Sequence, residues 1–266
     1  MKLTLLGTGN ALVTECFNTC FALSCGRQHF LVDTGGGNRI LKVLKDSDIA
    51  IEDIHDIFIT HEHIDHMLGI IWLIRVIGTK MDQGTYEGKL FIYCHRDLVD
   101  TIQTIANLTL TSKICKNMGE SIIFVPLETG DCKEILGCEV TFFDIFSSKA
   151  KQYGFTMNLS SGKKFACLGD EPYNEEDYEY VKGSDWLMHE AFCLYKEADK
   201  FKPYEKHHST VKDACQVAEK LEIPNLILYH TEEVNLKKRK ELYREEGLKY
   251  YNGNLYVPYD LEIFEV

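Results

Sequence analysis

Three histidines and an aspartate fall within six positions of this chain, in the run Thr60-His61-Glu62-His63-Ile64-Asp65-His66. The run follows an apolar segment, Ile57-Phe58-Ile59, and leads into a second one, Met67–Ile77. In an extended stretch, residues two apart share one side, so His61 and His63 can converge on a single cation. Asp65 and His66 come where the chain turns into the helix-like run, and they can face a second cation beside the first. Imidazole nitrogen and carboxylate oxygen are the donors that borderline divalent metals such as zinc prefer. One such residue would read as a solvated turn. Four in this order predict a strand-to-helix junction that carries a metal site.

The chain has 266 residues, 45% of them hydrophobic and only five of them proline, which fits an ordinary globular protein. No repeat and no Ser/Gly linker divides it, so residues 1–266 are read as one domain. Apolar patterning predicts strands at 2–6, 18–24 and 29–32, then a helix at 38–45. Next come a strand at 57–60, a helix at 66–77, a strand at 90–94 and a helix at 97–108. Strands follow near 121–125 and 139–146, with a hairpin of strands at 153–159 and 164–168. Strands at 186–189, 225–229 and 261–265 then alternate with helices at 209–221 and 236–246. Meanders first and alternation later predict an α/β protein of two packed sheets with helices outside. The glycines of Asp33-Thr34-Gly35-Gly36-Gly37 lack the Lys-Ser/Thr of a phosphate loop; their expected role is a tight turn beside the metal site.

The amino-terminal segment lacks the apolar core of a signal peptide. The longest apolar run, Met67–Ile74, ends at Arg75, too short to cross a bilayer. Ten scattered cysteines, without a CxxC pair, read as reduced and mostly buried thiols. A cytoplasmic protein with no membrane partner is expected. The net charge of −12 works against nonspecific nucleic-acid binding, although bound cations would offset several carboxylates. The basic run Lys237-Lys238-Arg239-Lys240, followed by Glu241, Glu245 and Glu246, reads as a solvated helix with i,i+4 pairs.

Four later segments carry further chemistry. Phe165–Leu168 is apolar and ends in Gly169-Asp170, which sets a carboxylate at a strand's end. Leu226–Tyr229 ends in His230, and Trp186–Met188 ends in His189-Glu190-Ala191. His207-His208-Ser209-Thr210 precedes an amphipathic helix for which Ser209 or Thr210 is a good N-cap. A histidine at that positive end is disfavoured from taking up a proton.

The set resembles the metallo-β-lactamase superfamily, and within it the ribonuclease Z-like branch. The resemblance spans nearly the whole chain: Leu6-Gly7-Thr8-Gly9, Val32-Asp33-Thr34-Gly35, the His61–His66 signature, Gly169-Asp170, His189-Glu190-Ala191, His208-Ser209-Thr210 and His230, in the family's order. It implies a four-layer αββα sandwich with the site at one edge of the two sheets. It further implies two divalent metal ions, zinc first, with manganese or iron as alternatives. His61 and His63 would hold one ion, Asp65, His66 and His230 the other, with Asp170 bridging. Asp65, His208 and Glu190 are the implied catalytic residues: Asp65 orients the attacking hydroxide, and His208 stabilises the transition state or protonates the leaving oxygen, with Glu190 orienting His208.

Two departures shape the functional expectation. The branch carries one more metal-binding histidine, and its aligned position here is Ser148, with Phe146 two residues earlier. A weaker first ion is expected, unless His95 or His189 compensates. Members that process transfer RNA also insert a long clamping arm, for which the stretch from Ser148 to Asp170 is too short. The expected protein is a metal-dependent phosphodiesterase acting on a small or nucleotide-like substrate, with tRNA disfavoured. Alternatives are hydrolysis of an ester, thioester or lactone, and a ribonuclease Z-type endonuclease; a purely metal-binding or redox role ranks last. The pocket walls are assigned to loops 78–88 and 194–206, with Phe201–Lys206 as a rim. Oligomeric state is left open, a homodimer included.

Overall fold

Most strands are apolar at successive positions, so both of their faces must be covered. The computed structural model, which describes residues 1–266, covers each sheet with the other on one face and with helices on the opposite face. The first sheet contains β1 (Lys2–Gly7), β2 (Cys20–Cys25), β3 (Gln28–Val32), β4 (Ile54–Phe58), β5 (Leu90–His95) and β6 (Ile122–Leu127). The second contains β7 (Cys132–Ile135), β8 (Cys138–Asp144), β9 (Tyr153–Asn158), β10 (Lys164–Cys167), β11 (Trp186–Glu190), β12 (Asn225–Tyr229) and β13 (Asn254–Tyr256). The last strand, β14 (Ile263–Glu265), returns to the first sheet and pairs with β1. The orders are β14-β1-β2-β3-β4-β5-β6 and β13-β12-β11-β10-β9-β8-β7. Each sheet is a meander that becomes parallel, from β3 to β6 in one and from β10 to β13 in the other.

Strand alternation sorts the core into three layers. Leu3, Leu5, Phe30, Val32 and Phe58 meet Phe142, Phe155, Phe165 and Met188 between the sheets. Their neighbours Leu31, Ile57 and Ile59 pack with residues of helices Arg39–Asp46, Gly69–Asp82 and Arg96–Thr109. Ala166, Leu187, Leu226 and Leu228 pack with those of helices Val211–Lys220 and Arg239–Gly247. This is the expected αββα sandwich. No helix is long and apolar enough to cross a membrane.

Two local expectations are corrected. One helix is predicted over 66–77, but two are found, Ile64–Met67 and Gly69–Asp82, meeting at Leu68. The glycine loop causes the break: Thr34 donates its amide (2.9 Å) and hydroxyl (3.0 Å) to the His66 carbonyl, and Gly69 N donates to Gly35 O at 2.9 Å. A Cβ at Gly69 would lie 2.0 Å from Thr34 O, so only glycine permits this approach. The basic run is not wholly solvated either. Arg239 is fully buried; it donates to Thr231 Oγ1, and at 2.8 Å each to Thr8 Oγ1 and Pro258 O. Charge spacing alone cannot distinguish an arginine on a wet face from one that ties the first loop to the residue after His230.

Asp177 is buried, and neither carboxylate oxygen has a hydrogen-bond partner. Burial, aided by Asp144 and Glu176, pushes its carboxyl up to about 7 from an ordinary value of 3.8. A value raised by folding favours the native state at low pH, and that advantage is lost as pH rises from about 4 to about 7. Asp177→Asn is therefore expected to stabilise the protein at pH 8 by about 1–2 kcal/mol, with the gain shrinking towards pH 4. Thermal melts at both pH values check this, and equal shifts would refute it.

Candidate metal centre

The parallel strands of both sheets bring their carboxyl ends to one edge, and the loops that follow carry the donors. Asp33 follows β3, His61–His66 follow β4, Asp170 follows β10, Glu190 ends β11 and His230 follows β12. His230 adopts φ 55°, in the left-handed region that a non-glycine residue rarely occupies, where the chain turns sharply off its strand. Five of the six expected metal donors share groups here, and His63 joins them through His61. His61 Nε2 is 2.8 Å from His63 Nδ1 and 3.7 Å from Asp170 Oδ1. His66 Nε2 is 3.3 Å from Asp65 Oδ2 and 3.6 Å from Asp170 Oδ2. His230 Nε2 lies 3.5 Å from each of the same two oxygens. The two oxygens of Asp170 thus face different groups of imidazoles.

The donor chemistry fits divalent cations. Nε2 of His66 and of His230 are buried and have no hydrogen-bond partner, although unpaired buried polar atoms are costly. Donor atoms of His61, His66 and Asp170, of Asp65, His66 and His230, and of Asp170, His208 and His230 form three groups, each within 4.8 Å. Burial alone would raise the carboxyls of Asp65 and Asp170. The surrounding imidazoles outweigh it and hold both well below the usual range. Burial drives the His61 imidazole down, toward the neutral state in which a histidine ligates, whereas for His66 the carboxylates of Asp65 and Asp33 outweigh burial and raise it.

Behind these donors stands a residue that sequence reasoning passed over as part of a motif. Asp33, buried with φ 55°, bonds His66 Nδ1 at 2.7 Å through Oδ2. It also accepts from the Thr60 amide at 2.9 Å and from the Thr60 hydroxyl, which in turn lies 2.9 Å from His61 Nδ1. One carboxylate therefore fixes the ring orientation of His66 directly and buttresses His61 through Thr60, as carboxylates behind metal-binding histidines do. The available signal was an acidic residue directly after an apolar strand, followed by glycines.

Ser148 turns away from the centre, its Oγ 3.0 Å from His207 Nδ1, and Phe146 is exposed. Neither proposed compensating histidine reaches the donors. His95 Nε2 pairs with Glu62 at 3.3 Å, and His189 Nδ1 donates to Glu190 O at 2.7 Å. His208 does reach them, and its Nδ1 donates to the Asp170 backbone carbonyl at 3.0 Å. Burial pushes this imidazole down to about 4. His208 lies two residues before Thr210, which caps the helix that starts at Val211, as expected. Glu190, pushed up to about 8 by burial, accepts from Ser209 N, while its other oxygen is 3.6 Å from His208 Nδ1. It braces the backbone beside His208 rather than bonding the ring.

The donors open onto a cleft of about 570 Å³ whose walls include Lys149, Lys206, His208, Phe192, Leu12 and Ile64. The Phe192 ring stacks on His208 at 4.8 Å, and Lys206 sits over Phe192 at 5.0 Å. Of the two expected wall segments, 194–206 contributes Lys206, whereas 78–88 contributes nothing, since much of it belongs to helix Gly69–Asp82.

A family model described as anti-Pycsar protein Apyc1 matches residues 1–247. Ribonuclease Z of Bacteroides thetaiotaomicron is 23% identical over 86% of this chain and 84% of its own length. Ribonuclease Z of Methanocaldococcus jannaschii is 26% identical over 100% of this chain and 97% of its own. Among solved structures, the metallo-β-lactamase fold protein YhfI of Bacillus subtilis superposes with a TM-score of 0.82 at 17% identity, covering 100% of this chain and 99% of its own. The short form of human tRNase Z gives 0.76 at 22% identity, with 100% and 99% covered. A diphosphatase of the PhnP family gives 0.75 at 17%, with 100% and 97% covered. The fold is that of the metallo-β-lactamases.

Proposed function

The chain belongs to the family of the anti-Pycsar protein Apyc1, and from that membership and the chemistry of the cleft we propose that it is a phosphodiesterase acting on a small, nucleotide-like substrate. It is a metallo-hydrolase of the ribonuclease Z-like kind. His61, His63 and Asp170 would hold one cation, and Asp65, His66, His230 and Asp170 the other, with zinc the first choice for such donors. Bound there, the cations would supply Lewis acidity and ionise water near neutral pH. Asp65 orients the attacking oxygen. Lys149 and Lys206 draw an anionic group into the cleft, and His208 faces the departing oxygen. Glu190 keeps His208 in place through Ser209.

The observation that carries this reading is the presence of Lys206 and Lys149 beside His208 on the cleft wall, Lys149 also pairing with Glu171 at 3.2 Å. Two ammonium groups beside a cation site favour a charged phosphodiester over a neutral ester or lactone. A second reading, ribonuclease Z-type cleavage of RNA, has support from the curated relatives. Against it, β9 and β10 are joined by a tight turn at residues 159–163, which leaves no room for a clamping arm. A panel of chromogenic phosphodiesters, carboxylic esters and lactams on zinc- and manganese-loaded protein tests the proposal. Phosphodiesters are expected to turn over fastest, and Asp65→Ala to abolish that turnover. Preference for an ester or lactam, or activity that survives Asp65→Ala, overturns it.

A further inference from the structure

The histidine that the ribonuclease Z-like pattern places at position 148 is a serine here, yet the space beside His61 is filled by a polar group. Gln152, only 1% exposed, enters from the second sheet just before β9. Its Nε2 donates to Asp170 Oδ1 at 2.7 Å and lies 2.8 Å from His61 Nδ1. Its backbone is fixed on both sides: the Gln152 carbonyl accepts from Ile145 N at 3.0 Å, and Tyr153 N donates to Thr60 O at 3.1 Å. A buried carboxamide spanning the two sheets at this point is not packing filler, since it carries a desolvation cost that only specific partners offset.

A second observation concerns the glycine before Asp170. A Cβ built on Gly169 would lie 2.9 Å from both Cδ and Nε2 of Gln152. Gly169 has φ 68°, which itself favours glycine, and the carboxamide occupies the space that its missing side chain leaves. Oε1 of Gln152 is buried without a partner, so the amide's hydrogen bonding runs through its nitrogen. That nitrogen touches the oxygen of Asp170 that faces His61, and not the oxygen that faces His66 and His230.

We propose that Gln152 is the positioning residue of the first metal subsite, holding Oδ1 of Asp170 beside His61 where the histidine at position 148 is missing. The inference rests on the metal assignment made above. Because it acts on Oδ1 alone, its removal affects the two ions unequally. Groups that orient metal ligands contribute roughly ten- to hundredfold in affinity.

The test is a calorimetric zinc titration of the full chain, resolving two dissociation constants. Gln152→Met keeps the length and volume of the side chain and removes both polar atoms. It is expected to weaken one ion by roughly ten- to hundredfold and to leave the other within about threefold, with the melting temperature of the metal-free protein retained. Gln152→Asn, which keeps an amide donor on a shorter stem, is expected to restore part of the loss seen with methionine. Two unchanged constants, or equal weakening of both ions, overturn the inference while leaving the metal assignment standing. If the unaltered protein binds no zinc, both fall together. Should Gln152→Met not fold, the Gln152→Asn titration decides the matter: weakening of one ion alone upholds the inference, and two unchanged or equally weakened constants overturn it.

Discussion

Asp170→Ala is expected to lower kcat/KM for a phosphodiester by about a thousandfold or more, because the substitution removes the one carboxylate that both groups of imidazoles share. Oδ1 of Asp170 faces His61 at 3.7 Å, and Oδ2 faces His66 and His230 at 3.6 and 3.5 Å. No other acidic side chain is placed to serve both sides. Asp65 reaches His66 and His230 only, and Asp33 is committed behind the rings. Loss of several kcal/mol of charge stabilisation at a two-cation site corresponds to the stated factor. The same variant should bind fewer than two zinc ions. It should also lose most of the thermal stabilisation that excess zinc gives the unaltered protein, which amounts to about 2.7 kcal/mol at a hundredfold excess over Kd. Metal analysis of the dialysed protein and melts with and without zinc check this. A variant that keeps two ions, or keeps activity within tenfold, would remove Asp170 from the centre.

The sequence made this centre legible for a specific reason. His61, His63, Asp65 and His66 are local, and each distant partner closes an apolar run, as Asp170 does one glycine after Phe165–Leu168 and His230 does after Leu226–Tyr229. Parallel strands deliver such positions to one edge, so the pattern of run plus donor survives translation into three dimensions. The layers were legible on the same grounds, since strands apolar on both faces need cover on both. The edge strands Cys132–Ile135 and Asn254–Tyr256 were not, because they are short and partly polar, and only their neighbours make them strands. Asp33 and Gln152 were missed for another reason. They act on side chains 33 and 91 residues away, across a glycine loop in one case and between sheets in the other. Nothing periodic marks them. Arg239 shows the converse error, where a charge pattern suited to a wet helix includes one cation that the fold encloses.

His208→Ala is expected to cost about a hundredfold or more in kcat on a substrate whose leaving group is an alkoxide, such as a nucleoside hydroxyl, in line with the loss of a positioned proton donor. The ring's Nδ1 is spent on the Asp170 carbonyl at 3.0 Å, so the remaining nitrogen is the one free to serve the reaction. Stacking on Phe192 and bracing through Glu190 and Ser209 fix its direction. Burial holds the free imidazole neutral, so it can donate from the second nitrogen only once an anionic substrate has raised its proton affinity. Lys149 on the same wall opposes that rise, while the incoming phosphodiester favours it. The role therefore has a signature that loss of binding cannot imitate. With a p-nitrophenyl diester, whose leaving group needs no proton, the same variant should lose less than about tenfold, and KM should change alike for both substrates. If both leaving groups suffer equally, His208 holds the substrate rather than protonating it, and the departing oxygen must take its proton from elsewhere in the cleft.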